Sequence, residues 1–297
     1  MTLLYFTLSL SLAETPPPIV NGSTTREYQP VAAFIQCWGD QGCASFCSGT
    51  LVANRWVLTA AHCVSDLYGS GDYYFVFGSS IWDADAFAEV IVWEEHEDYP
   101  GMNSGYIVSD VAVVEIGDIV DINTGERVDI TPIAMNRETV DDSWYGDELQ
   151  MVGYGITGTN REDSGVKRTA DMQIAQVDDE FIYLSDNQER QNVCSGDSGG
   201  AALHWNGSVW TLAGVNSFTY GQCESWIAGV ARVDEYLDWI EDRIDYAGES
   251  IVQPLEPYEN KVPPAAACNT SHNTQNTWGL WTMILVFAAR FRREIIN

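Results

Sequence analysis

Basic residues are scarce in this sequence: 14 lysines and arginines stand against 43 aspartates and glutamates, a formal net charge of −29. That deficit excludes nucleic acid as a partner, because phosphate contacts require a basic surface. The acid excess instead reads as a solvated, soluble surface. A membrane-length hydrophobic run is missing near the C-terminus. The apolar stretch from Trp278 to Ala289 would reach only about 18 Å as a helix, short of a roughly 30 Å hydrocarbon core. A calcium-loop pattern is lacking too. Asp83, Asp85 and Glu89 have a DxD spacing without the glycine and bidentate glutamate of a known loop. They are expected to form an exposed acidic turn, and no metal or cofactor is implied.

What is present points to a folded, exported chain. Hydrophobic residues make up 45% of 297 residues and aromatics 12%. A well-buried core is therefore possible, global disorder is excluded, and there is room for one large domain or two modest ones. Met1 to Leu12 carry no charged side chain, although no basic residue opens them. Ser11-Leu12-Ala13 places small residues where a signal peptidase reads, which predicts a signal peptide over 1–13 and a secreted or cell-surface location. Seven cysteines, at 37, 43, 47, 63, 194, 223 and 268, are then free to oxidise. Their odd number leaves one over, and Cys268 stands apart from the rest.

Organisation along the chain follows from local patterns. Pro16-Pro17-Pro18 is a stiff extended stretch. From Ile19 to about Tyr236, short β-branched and aromatic runs alternate with Gly, Asn, Asp and Ser. Trp56-Val57-Leu58, Tyr73 to Phe77, Val111 to Ile116 and Val209 to Val215 are examples, and they predict an all-β sandwich or barrel. Val233, Leu237, Ile240 and Ile244 recur at helical intervals, which predicts one amphipathic helix over 233–246. Residues 247 to 277 lose periodicity and read as a linker. Beyond Ala289 come Arg290, Arg292 and Arg293, a basic cluster that would hold its end in the cytoplasm.

Three segments carry chemistry. Ser198 lies in Gly196-Asp197-Ser198-Gly199-Gly200. A serine hydroxyl is a poor nucleophile until a base takes its proton. Flanking glycines allow positive φ and let amide N–H groups converge on an oxyanion, each donor contributing about 10²–10³ in rate. His62 lies in Thr59-Ala60-Ala61-His62-Cys63. Its imidazole titrates near neutrality, as a general base must, and Cys63 can tether its loop. A structural histidine is the alternative. Asp110 precedes Val111-Ala112-Val113-Val114, an apolar strand. A carboxylate entering such a strand needs a partner, and an imidazole N–H would also fix the histidine tautomer. A strand-capping carboxylate is the alternative.

Together these segments resemble the histidine, aspartate and serine motifs of the trypsin-like (chymotrypsin-fold) serine proteases, in that family's chain order. Ile19-Val20-Asn21-Gly22 resembles the mature N-terminus, and Gly153-Tyr154-Gly155 the start of the second barrel. The resemblance implies two six-stranded antiparallel Greek-key barrels with a C-terminal amphipathic helix. It implies a peptidase domain over 19–248, the first barrel about 19–132 and the second about 133–248, behind a propeptide at 14–18. It implies catalysis by His62, Asp110 and Ser198, and an oxyanion hole from the amides of Gly196 and Ser198. Ser217 matches the serine that supports the aspartate. Asp197 matches the residue that pairs with the freed amine of Ile19. Pairs Cys47–Cys63 and Cys194–Cys223 are implied in the same way. Cys37 and Cys43 are expected to close a small surface loop, a pairing that spacing alone does not fix.

Two departures bear on specificity and activation. Asn192, six residues before Ser198, matches the position at the base of the family's primary pocket, where trypsins have aspartate, so a preference for Lys or Arg is not implied. Phe218-Thr219 replaces the usual Trp-Gly. Ala228 and Gly229 are both candidates for the opposite wall, since two registers fit. The expected activity is a secreted serine endopeptidase cleaving protein or peptide substrates after small or medium uncharged P1 residues, as elastases do. A chymotrypsin-like preference, or an inactive trypsin-fold binding protein, is the alternative. Pro18 precedes Ile19, so the activating protease is not expected to be trypsin-like. His96, within Glu94-Glu95-His96-Glu97-Asp98, is read as structural. The tail over 278–297 resembles the tripartite sorting signals of some bacterial surface proteins, with Cys268 as a candidate processed position and possible membrane attachment.

Overall fold

Runs of β-branched and aromatic residues between glycine- and asparagine-rich breaks form strands that close into two barrels. The computed structural model describes residues 18–65, 67, 72–186, 190–225 and 227–244. The expected signal peptide, residues 14–17 of the propeptide, the linker at 249–277, the tail and Cys268 lie outside the described residues. In the first barrel the strands are β1 (Val31–Cys37), β2 (Cys43–Ala53), β3 (Trp56–Thr59), β4 (Asp72–Ser80), β5 (Asp83–Glu95) and β6 (Ala112–Ile116). In the second they are β7 (Glu148–Gly153), β8 (Arg168–Val177), β9 (Phe181–Ser185), β10 (Ala201–Trp205), β11 (Trp210–Thr219) and β12 (Ile227–Arg232).

Both barrels follow one path. The first runs β1-β2-β3-β6-β5-β4 and closes on β1; the second runs β7-β8-β9-β12-β11-β10 and closes on β7. All these pairings are antiparallel, and closure leaves each ring without a free edge. Short pieces flank the rings. Ser23–Thr24 pairs with β8, so the start of the described chain lies on the second barrel.

The apolar interior falls into two main clusters, and the first also takes in Leu203, Leu212 and Val215 of the second barrel. Phe34 and Phe75 stack at 4.4 Å inside the first, among Ile35, Leu51, Leu58 and Val114. Leu149, Met151, Met172, Ile182, Leu184 and Val230 fill the second. Tyr154 joins the two: its ring is fully buried, and its hydroxyl reaches the carbonyls of Gly78 (2.7 Å) and Val31 (3.2 Å). Burial pushes this phenol well above its ordinary value.

Two local expectations are revised. The C-terminal helix begins at Leu237 and runs to Ile244, four residues later than its periodicity suggests. The amide of Val233 donates to the Ala213 carbonyl (3.0 Å), and Val233–Tyr236 form a turn between the last strand and the helix. Asp83, Asp85 and Glu89 do not form a turn. They run along β5, where Asp83 pairs with Arg26. No helix among the described residues is long and apolar enough to cross a membrane.

Candidate functional site

Strand register sets the site. In the antiparallel pair β3–β6, Thr59 stands opposite Ala112. The residues leaving β3 therefore lie beside those entering β6, and His62 is brought next to Asp110. A helical turn, α1 (Ala61–Val64), carries the histidine, and the Cys47–Cys63 disulfide ties that turn to β2.

Asp110 is the centre of the arrangement. It is 1% exposed, and the His62 side chain 19%. One carboxylate oxygen lies 2.8 Å from the Nδ1 of His62, and the other accepts the backbone N–H of the same residue at 2.9 Å. The hydroxyl of Ser217 also donates to Asp110. Ser217 is skipped in the pairing of β11 with β12, where Asn216 faces Val230 and Phe218 faces Gly229. This bulge turns its hydroxyl toward the carboxylate. Burial acts to raise the Asp110 carboxyl, but the charge of His62 and these hydrogen bonds outweigh it and hold the group below its ordinary value.

Ser198 sits in a loop clamped from several sides. Its carbonyl accepts the amide of Ser48 (2.7 Å) and lies 3.7 Å from Sγ of Cys63, the neighbour of His62. Gly199 has φ of 79°, and a Cβ there would stand 2.0 Å from Thr59 Oγ1 and 2.3 Å from the Ser48 carbonyl. Only glycine allows so close an approach to the histidine segment. Ser48 Oγ donates to the Gly196 carbonyl (2.8 Å) while accepting the amide of Tyr154 (3.0 Å). Among the described residues, no hydrogen bond is donated by the amides of Gly196 or Ser198, and none joins the Ser198 hydroxyl to the His62 ring.

Asp197 is wholly buried. Its carboxylate accepts the amides of Gly155 (2.7 Å) and Cys194 (2.9 Å). Burial raises it to about 6, against the opposing pull of those amides and of the Arg168 charge. Arg168 is 5% exposed and donates to the Gly155 carbonyl (2.5 Å). Ile19 is also fully buried, with Pro18 still attached, and Val20 and Asn192 exchange backbone hydrogen bonds of 3.0 and 3.2 Å. The φ of Ile19 is 43°, a conformation disfavoured for a β-branched residue.

Around the expected pocket, register separates the two candidate walls. Thr219 pairs with Ala228, and Phe218 with Gly229. The ring of Phe218 covers Gly229, where a Cβ would meet it at 2.2 Å. Gly229 is thus filled by this chain's own aromatic ring, leaving Ala228 as the residue across from Thr219. Asn192 is fully buried, and its amide group is engaged with the Cys223 carbonyl (2.9 Å) and the Val193 N–H (3.0 Å). Both polar atoms of its side chain are thus engaged within the chain.

Disulfides also join Cys194 to Cys223 and Cys37 to Cys43. Cys47, His62 and Cys63 bring three ligating atoms within 4.8 Å, but two of them are committed to a disulfide. His96 packs between the rings of Tyr236 (5.1 Å) and Trp239 (4.9 Å). Sequence motifs do not single out Ser48 or Arg168. Ser48 carries no pattern of its own. Arg168, with Lys167, is a basic pair inside a strand-like stretch of an acidic chain, which is a usable signal.

The family model described as Trypsin matches residues 19–240. Trypsin 5G1 of Aedes aegypti is 28% identical over 216 residues, covering 68% of this chain and 76% of that protein. Trypsin of Phaedon cochleariae is 27% identical over 215 residues, covering 67% and 79%. Venom serine protease 34 of Apis mellifera is 25% identical, covering 76% of this chain but only 58% of its own length. Human heparin binding protein aligns with a TM-score of 0.60 at 20% identity, over 76% of this chain and 97% of that one. HL collagenase aligns with a TM-score of 0.58 at 23% identity, over 76% and 98%. At those identities the solved structures speak for the fold alone.

Proposed function

This chain belongs to the trypsin family, and we propose that it is a serine endopeptidase working through His62, Asp110 and Ser198. The observation that carries the reading is the double grip of His62 on Asp110, through ring and backbone, with the serine loop packed against the same turn. In the reaction His62 takes the proton of Ser198 as its hydroxyl attacks the peptide carbonyl, then returns it to the leaving amine. Asp110 holds the ring in the required tautomer and stabilises the imidazolium. The amides of Gly196 and Ser198 receive the oxyanion. Substrate closes the one link absent at rest, between the Ser198 hydroxyl and His62; such bonds tighten on binding.

Thr219 and Ala228 narrow the primary pocket, and Asn192 gives its floor no charge. The preferred P1 residue is accordingly small or medium and uncharged. A chymotrypsin-like preference would need room that the Thr219 side chain occupies. The protein is secreted or held at the cell surface, its tail serving sorting or attachment. Cleavage before Ile19 frees an amine to pair with Asp197, a buried ion pair that acts as a switch. Pro18 means that the activating peptidase does not select a basic residue.

The rival is an inactive family member that binds partners, favoured by the missing Ser198–His62 bond. Polyanion binding of the kind named for the human heparin binding protein is disfavoured here by a net charge of −29. Hydrolysis of a peptide library by the activated protein decides between them. Cleavage that falls by about 10⁶ in Ser198→Ala supports the enzyme; a library left intact by the form beginning at Ile19 supports the binder.

A further inference from the structure

Asp110 depends on its predecessor for its aim. Ser109 has φ of 49°, the left-handed region that residues with a Cβ avoid, and it is buried. Its carbonyl accepts the amide of Val111 at 2.8 Å, so the chain folds back tightly around Asp110. Relaxing Ser109 to an ordinary φ would swing the following peptide and, with it, the carboxylate that holds His62.

What holds Ser109 comes from the other barrel. Its amide donates to Oε2 of Glu180 at 2.9 Å. Glu180 lies in the turn between β8 and β9, in the second barrel. Asp178 fixes that turn by accepting the amides of Glu180 (2.9 Å) and Phe181 (2.7 Å). The hydroxyl of Tyr236, just before the C-terminal helix, donates to the same oxygen of Glu180 and lies 3.4 Å from Ser109 Oγ. Two elements of the second half of the chain thus converge on one strained residue of the first.

Resting on the proposed catalytic reading, we propose that Glu180, steadied by Tyr236, is a positioning residue: it locks Ser109 in its left-handed conformation and so sets the Asp110 carboxylate against His62 from across the barrel interface. Glu180 touches no reacting atom. Its effect passes through the backbone of Ser109 and reaches the substrate as orientation of the imidazole.

The test uses the activated protein. Glu180→Ala is expected to lower kcat by about 10- to 100-fold, the scale of a displaced catalytic group, with KM little changed. Glu180→Gln, which keeps an oxygen acceptor, should retain most of the activity. Adding Ser109→Gly to Glu180→Ala should restore kcat, because glycine adopts the left-handed φ without a clamp. The downfield proton resonance of His62 Nδ1–H should broaden in Glu180→Ala and sharpen again in the double variant. Should Glu180→Ala fail to fold, Tyr236→Phe frees the carboxylate without removing it and should show a smaller loss of the same kind. A folded Glu180→Ala with wild-type kcat and an unchanged resonance, or a double variant no better than the single, overturns the proposal. The resonance is read without substrate, so an inactive wild type would defeat the endopeptidase reading and still leave the clamp tested.

Discussion

A carboxylate that is 1% exposed survives burial at Asp110 because the ring and backbone of His62 and the hydroxyl of Ser217 all hydrogen-bond to it. Asp110→Asn keeps the shape but reverses one hydrogen bond, favouring the wrong tautomer of His62. A loss of about 10⁴ in kcat is expected, measured on a good peptide substrate. Thr219 makes a different kind of claim. Thr219→Gly removes the side chain across from Ala228, and the ratio of kcat/KM for a Phe over an Ala P1 residue should rise by about tenfold or more. An unchanged ratio would locate the specificity elsewhere. The meeting of His62, Asp110 and Ser217 was legible in short local motifs. The clamp of Glu180 on Ser109 was not, because it depends on which turns of two barrels face each other. Asn192 shows the same limit: no local pattern reveals the engagement of its side-chain amide with Cys223 and Val193.

At the scale of elements, strands were easier to read than ends. Val111 to Ile116 and Tyr73 to Phe77 announced themselves by β-branched and aromatic runs, and both lie in or overlap barrel strands. The start of the helix did not: Val233–Tyr236 form a turn before Leu237, although Val233 falls on the helical period. The N-terminal segment carries a prediction of its own. With Pro18 attached, Asp197 has a folded pKa of about 6 against an ordinary 3.8. Its neutral form is the one favoured on folding, so this contribution is full below about pH 4 and lost as pH rises through about 6. The penalty at pH 8 is on the order of 3 kcal/mol. A new amine at Ile19 would neutralise it. Melting temperatures of the Pro18-bearing and cleaved forms should therefore diverge between pH 4 and 7, the cleaved form being the more stable at the upper end. Parallel curves would show that the amine does not reach Asp197.

For the molecule as a whole, charge is the quantity that the fold does not explain. The barrels need apolar interiors and closed strand paths, and neither demands a net charge of −29. So acidic a surface attracts cationic substrates from beyond contact distance, within a screening length of about 8–10 Å at ordinary salt. For peptides alike at P1, kcat/KM should fall with rising ionic strength when the flanking residues are basic and stay flat when they are neutral. Equal salt dependence for both would mean that the acid excess serves solubility alone. The double-barrel architecture itself was legible, through strand-like runs and the three motifs together. The relation between its halves was less so, because Tyr154, which reaches Val31 and Gly78, and Glu180, which reaches Ser109, work across distances in sequence that no local pattern spans.

The most direct measurement maps a fluorophosphonate on the form beginning at Ile19, by mass spectrometry of its peptides. One adduct is expected, on Ser198, slowed severely by His62→Ala and absent from Ser198→Ala. Labelling that ignores His62, or no adduct on Ser198 in a correctly processed and folded protein, would contradict the account.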